Sequence, residues 1–116
     1  MAAVSDDYLQ FVLDQLAALG VVRARRMFGG AGLYRGDEFF GIVHGDALYF
    51  KVDETTRAEY ERAGSEPFRP FANRATTLQY FLVPAEVLED SGELCSWARR
   101  AVLVAQRVKD KPRRKK

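Results

Sequence analysis

The chain contains one cysteine, Cys95, and one histidine, His44, among 116 residues. A single cysteine excludes an internal disulfide framework and a zinc site built from cysteines, and it agrees with a reducing compartment. Nucleophilic triads need a histidine base and metal centres need several ligands, so the sequence offers little for either. We expect Cys95 to be a buried small hydrophobe and His44 a turn or strand-end residue. The sequence therefore predicts a protein that is not an enzyme and has no metal or cofactor.

Long apolar runs and secretion signals are also lacking. No stretch approaches the roughly 20 apolar residues of a membrane span. The first residues contain neither the basic segment nor the apolar run of a secretory signal. We expect a cytoplasmic protein that does not contact a membrane.

Positive charge is concentrated at the C-terminal end. The formal charge is +2 overall, and residues 109–116 hold six basic residues and one acid, a net of +5, so residues 1–108 carry −3. We predict one domain over residues 1–108 and a basic disordered tail over residues 109–116. The tail cations are candidates for weak, nonspecific contact with nucleic acid: Lys109, Lys111, Arg113, Arg114, Lys115 and Lys116.

Apolar spacing predicts an α+β domain, in which an antiparallel meander is flanked by N- and C-terminal helices. Ser5 is placed as the N-cap of the first helix, and the Gly-Asp pairs at residues 36–37 and 45–46 fit tight turns. The predicted helices cover residues 6–19, 54–63, a short turn from Pro84 through Leu88, and a last helix with Leu94, Trp97, Ala98, Ala101, Val102 and Ala105 on one face; the predicted strands cover residues 25–28, 32–34, 39–43, 48–52 and 76–83.

The most specific segment spans residues 25–34, where two arginines precede three closely spaced glycines. It is followed by strand and turn residues, which argues against a phosphate-binding loop because such a loop needs a helix N-terminus after it. One interpretation makes the glycines a bulge or sheet corner against a packed helix. The other makes the arginines and nearby amides a recognition surface for an anionic partner. Its candidate residues are Arg25, Arg26, Met27, Phe28, Gly29, Gly30, Gly32 and Tyr34.

The same segment resembles the signature of the TfoX N-terminal domain family, also called TfoX/Sxy. Similarity continues in order through residues 48–53, 64–68 and 80–88 and through Trp97-Ala98, and it covers about residues 7–106. The resemblance implies an α+β fold similar to secretion-chaperone-like folds. It also implies a connection to regulators that activate competence genes together with a cyclic-AMP receptor protein and that carry a second, C-terminal domain. This chain resembles a stand-alone N-terminal domain, and the family has no established catalytic residues to transfer.

We therefore expect a regulatory interaction module that binds a protein partner and is an accessory to transcription. An apolar patch on the open sheet face would also allow a homodimer. A second hypothesis is nonspecific DNA binding through the tail with Arg99, Arg100 and Arg107. A third is a small-ligand pocket near Tyr34, His44 and Tyr80.

Overall fold

The computed structural model describes residues 5–27, 29–68 and 79–110. Its five-stranded sheet is antiparallel throughout, in the order β1-β2-β3-β4-β5, with helices before and after it, so the predicted α+β meander is confirmed. In chain order the elements are α1 (Asp6–Gln15), a 3-10 helix (Ala17–Leu19), β1 (Arg23–Met27), β2 (Gly30–Arg35), β3 (Glu38–His44), β4 (Ala47–Lys51), α2 (Glu54–Arg62), β5 (Tyr80–Leu82), α3 (Ala85–Leu88) and α4 (Ser91–Asp110).

The first helix is shorter than predicted. Its N-cap is confirmed, because the Tyr8 amide donates to Ser5 Oγ at 3.1 Å. The helix ends at Gln15 and a 3-10 turn follows, in which the Leu19 amide donates to the Leu16 carbonyl at 2.9 Å. The tighter turn keeps Leu16 and Leu19 both buried, so the apolar spacing was correct although the α-helical geometry stops earlier.

Both predicted tight turns are present as two-residue connections. Arg35 pairs with Glu38 across one turn, and His44 pairs with Ala47 across the other. Gly36 has a φ of 61° and Gly45 a φ of 60°, values that glycine adopts without the steric penalty of other residues. These turns align β2, β3 and β4 in one meander.

A β-bulge lies in the middle of the sheet rather than at the glycines. Leu33 pairs with Gly41 but Tyr34 pairs with Phe39, which leaves Phe40 as the extra residue of β3. Phe40 is fully buried, with its ring centroid 5.8 Å from that of Phe50. The bulge therefore places the Phe40 ring in the core.

The core lies between one face of the sheet and α4, which packs across β3 and β4. The apolar face predicted for the last helix is confirmed, since all six of its residues are buried. Cys95 is also buried, as expected, and its Sγ lies 3.5 Å from the Gln15 carbonyl oxygen of α1. No helix in the described part of the chain is long and apolar enough to span a membrane.

Only part of the predicted strand over residues 76–83 can be compared, because residues 69–78 lie outside the described ranges. Tyr80–Leu82 forms β5, and α3 follows it as predicted. The sequence also predicts a loop over residues 65–75, with Phe68 and Phe71 fixing it to the core. Phe68 is buried and packs on Tyr49, with ring centroids 4.7 Å apart. Phe71 lies outside the described residues.

Candidate interaction surface

Strand β1 forms one edge of the described sheet and carries three arginines in five residues. It pairs with β2 along its whole length, from Arg23 opposite Tyr34 to Met27 opposite Gly30. Residues 23–26 are all exposed. The edge is therefore accessible and strongly cationic.

The two adjacent arginines of the motif lie on opposite faces of this strand. Arg26 is directed toward α1, where its guanidinium forms an ion pair with Asp6. Arg25 pairs with Gly32 and lies on the face away from the helices. The Arg25 side chain forms no hydrogen bond or ion pair with another residue of the described ranges. The structure thus separates a pair that the sequence interpretation treated as one patch.

Arg23, which was not among the candidate residues, shares the face of Arg25. Its Nη2 donates to the Gly36 carbonyl at 3.0 Å, and its Cζ lies 5.5 Å from the centroid of the Tyr34 ring. The sequence could have pointed to Arg23 through the alternation of side chains along a strand, because residues two apart lie on the same face. Arg23, Arg25 and Tyr34 therefore form one surface, which we call the edge surface.

The edge surface continues into a row of aromatic rings on the outer face of the sheet. Tyr34 stacks on Phe39 with centroids 5.0 Å apart, and Phe39 lies 6.0 Å from Tyr80. Lys51 Nζ approaches the Tyr80 hydroxyl to 3.1 Å. Burial lowers the pKa of Lys51 and raises that of Tyr80 to about 12, so the tyrosine stays neutral at physiological pH.

The glycines of the motif have structural explanations at two positions. Gly29 has a φ of 80° in the turn between β1 and β2. A Cβ built on Gly30 would lie 2.4 Å from the Val43 carbonyl oxygen, closer than atoms approach in proteins. Gly32 is buried opposite Arg25. Backbone geometry and close approach thus account for Gly29 and Gly30.

Met27 and Phe28 are the two remaining candidates between the arginines and the glycines of the motif. Met27 ends β1 and pairs with Gly30. Phe28 lies outside the described residues. The structure has a turn at Gly29 and a close approach of Gly30 to β3, where a bulge or a corner against a packed helix was expected.

Within the described ranges, Tyr34 and Tyr80, two residues of the hypothetical pocket, lie near the start of β3, whereas His44 lies at its other end. Phe39 lies between the two tyrosines, and His44 ends β3 as expected, with its ring against Phe68 at 5.6 Å. No group of three or more metal-ligating side chains occurs among the described residues. A cavity of about 250 Å³ lies elsewhere, lined by Leu19, Arg35, Arg99, Val102, Leu103 and Gln106.

The opposite edge of the sheet is already covered. The Phe68 amide donates to the Tyr80 carbonyl, and the Leu82 amide donates to the Glu66 carbonyl, each at 2.9 Å. The segment before residue 69 therefore pairs with β5 from outside. Of the two described edges, β1 is the one left accessible.

The arginines of α4 differ in their availability. Arg100 Nη2 lies 3.1 Å from Glu59, and Arg107 Nη2 lies 2.8 Å from Asp53, so both are engaged within the domain. Arg99 is exposed. Lys109 lies in the last turn of α4, which continues through Asp110, and Lys111, Arg113, Arg114, Lys115 and Lys116 lie beyond the described residues.

Comparison with known families identifies the chain. The model of the TfoX N-terminal domain matches residues 14–105 of the 116 residues. The chain therefore belongs to the TfoX N-terminal domain family, as the sequence motifs predicted. No curated protein matches it significantly.

Proposed function

We propose that this TfoX N-terminal domain is a non-enzymatic regulatory module that binds a protein partner through the edge surface. The observation that carries the proposal is the position of Arg25. This side chain is exposed on an accessible edge strand, beside Arg23, and has no ionic or hydrogen-bonding partner among the described residues.

The chemistry of the surface supports recognition of an anionic group. A guanidinium offers a planar set of donors that matches a carboxylate, and it keeps its charge at every physiological pH. Residues 1–108 carry a net charge of −3, so the edge surface is a local cationic region on a mildly acidic domain. Such local contrast directs an acidic partner to one side of the molecule.

Membership of the TfoX N-terminal domain family supports a regulatory role connected with transcription. The domain would act there as an accessory in the cytoplasm, by contact with a protein of the transcription machinery. A second copy bound on the outer face of the sheet is a separate prediction, and Phe68, buried against Tyr49, already covers part of that face.

Direct DNA binding has less support. Arg100 and Arg107 are engaged by Glu59 and Asp53, so the hypothesis depends mainly on the basic tail. Contacts of that kind are nonspecific and weaken steeply with salt.

Affinity capture from a nuclease-treated cell lysate tests the proposal. We compare the full chain, Arg25→Gln, the matched control Arg99→Gln, which changes an exposed arginine on α4, and a chain ending at Asp110. We expect the full chain to capture a defined protein. Among the variants, only Arg25→Gln should lose this capture. Recovery of nucleic acid alone, lost with the tail, would replace the proposal with the DNA-binding hypothesis.

Arg26→Ala serves as a second control. Because Arg26 pairs with Asp6 of α1, we expect this change to leave partner capture intact. A loss of capture equal to that of Arg25→Gln would instead place the binding surface on the helix side of β1.

A further inference from the structure

The outer edge of β1 has backbone groups as well as charge available for recognition. In an antiparallel pair, alternate residues direct their N–H and C=O groups away from the neighbouring strand. β1 pairs with β2 on one side, and residues 23–26 are exposed. An extended chain placed alongside would form a new ladder with these groups, the binding mode known as β-strand addition.

The other described edge does not offer this possibility. Residues 66–68 already form hydrogen bonds with β5 and bridge to it through Pro67 opposite Phe81. Strand addition would therefore occur at β1, next to the edge surface.

Side-chain alternation defines the chemistry of the incoming strand. Arg23 and Arg25 lie on one face of β1, two residues apart. Directly opposite side chains on paired strands lie about 4.5–5.5 Å apart, which is within reach of an ion pair. Carboxylates at every second position of the added strand would face these two arginines.

The same charges disfavour a second copy of this chain as the occupant. An isologous antiparallel pairing centred on β1 would bring Arg25 opposite its own equivalent. Like charges directly opposite each other destabilise a strand pair, and charged edge strands prevent self-association for this reason. The two arginines therefore favour pairing of β1 with an acidic strand over pairing with the β1 strand of a second copy.

We propose that β1 binds an acidic extended segment of a partner protein by β-strand addition, with carboxylates at alternate positions opposite Arg23 and Arg25. This inference rests on the proposed function and specifies the partner's chemistry and backbone conformation at the same surface.

Three short peptides of equal length test the proposal with the full chain. One alternates Thr and Glu, the second alternates Thr and Lys, and the third repeats the Thr-Glu sequence with N-methylated amides along one edge. Binding is measured by fluorescence anisotropy, and hydrogen exchange reports protection of the β1 amides. We expect the Thr-Glu peptide to bind and to protect amides in β1, and N-methylation to weaken binding by at least about tenfold through loss of the ladder.

Two variants separate charge from structural effects. Arg25→Gln should lower the affinity for the Thr-Glu peptide by about tenfold, and Arg25→Glu should lower it further. The control Arg99→Gln should leave this affinity unchanged. The Arg25 side chain has no hydrogen-bonding or ionic partner among the residues described, so neither change removes such a contact from the domain, and the backbone pairing of Arg25 with Gly32 is retained. An unchanged circular dichroism spectrum verifies the fold.

The outcomes separate this inference from the proposed function. Equal affinity for the N-methylated and unmodified Thr-Glu peptides would overturn strand addition, because charge alone would then explain binding. If the Thr-Glu peptide did not bind, strand addition would also be overturned. The arginines would then serve only to prevent self-association of an edge strand. In either case Arg25-dependent capture of a protein partner would still support the proposed function.

Discussion

At the scale of single residues, Arg25 and Arg26 show how backbone geometry divides a sequence motif. Neighbouring residues of a strand direct their side chains to opposite faces. Arg26 therefore meets Asp6 of α1, whereas Arg25 joins Arg23 on the outer face. The two arginines have different expected roles, one in holding α1 against β1 and the other in recognition.

Gly30 provides a prediction at this scale. Gly30→Ala would place a Cβ 2.4 Å from the Val43 carbonyl oxygen, and the backbone must shift to remove that overlap. We expect a loss of about 1–3 kcal/mol in the free energy of unfolding. Urea denaturation of the variant and the wild type measures the difference.

Gly92 supplies the matched control. A Cβ at Gly92 would lie 3.5 Å from Asp90 Oδ1, an ordinary contact in the first turn of α4. We expect Gly92→Ala to leave stability unchanged or to raise it by up to about 1 kcal/mol. Equal denaturation midpoints for the two variants would contradict the structural explanation of Gly30.

At the scale of elements, Asp53 connects α2 to α4. Its side chain accepts from the Thr55 amide at 2.9 Å and caps α2, and Asp53's own amide donates to Thr56 Oγ1 at 3.1 Å. Arg107 of α4 donates to the same carboxylate through Nη2 at 2.8 Å and Nε at 3.2 Å. One carboxylate thus caps the N-terminus of α2 and fixes this helix to α4.

This arrangement predicts a defined pH dependence. Burial by itself raises the pKa of the Asp53 carboxyl, but the hydrogen bonds from Thr55 and Arg107 and the charge of Arg107 lower it to about 2. A lowered folded-state pKa stabilises the domain above the unfolded value of about 4, and this stabilisation is lost as the pH falls toward the folded value.

Asp53→Asn tests that dependence, because asparagine still caps a helix but has no charge. We expect the variant to melt below the wild type at neutral pH, with the difference shrinking as the pH falls from about 4 toward 2. Melting temperatures across this range provide the measurement. A difference that stays constant with pH would show that packing, and not the charge, is responsible.

At the scale of the whole molecule, α4 packs against α2, which in turn packs against β5, the last strand of the sheet. Trp97 packs edge-on against Tyr60 of α2 with centroids 4.7 Å apart, and Tyr60 lies 6.1 Å from Phe81 of β5. Arg100 adds an ion pair to Glu59 of α2. The core is therefore continuous from the helices to the far strand of the sheet.

Two tyrosines, the buried Tyr60 and the half-buried Tyr8, make this core sensitive to alkali. Burial raises the pKa of Tyr60 well above its ordinary value and that of Tyr8 to about 12. Below the unfolded-state pKa of about 10 the neutral phenols remain compatible with the fold, and stability is lost as the pH rises above that value toward the folded-state pKa.

We expect alkaline unfolding to coincide with tyrosinate absorbance in one transition above about pH 10. Tyr60→Phe keeps the buried ring and removes the ionisable hydroxyl, so its transition should move to higher pH. Absorbance and circular dichroism followed together make the comparison. Full tyrosinate formation before any loss of secondary structure would contradict this prediction.

Local patterns in the sequence predicted the type and order of the described elements, although α1 and β1 have other bounds than predicted. The spacing of Leu94, Trp97 and Ala101 defines the buried face of α4, and glycine at Gly36 and Gly45 determines the two tight turns, because both signals act between residues close in the chain. The family was recognised for the same reason, through short motifs in a constant order.

Tertiary structure decided which residues share a surface. The motif at residues 25–34 did not reveal that Arg26 meets Asp6, that Gly30 lies against Val43, or that Arg23 belongs with Arg25, because each depends on strand pairing or on packing between distant segments. Which edge stays accessible depends in turn on where residues 66–68 pair. The sequence by itself therefore determined the elements and the family, whereas the arrangement of the sheet determined the edge surface, because a surface is formed by contacts between segments that the local sequence does not encode.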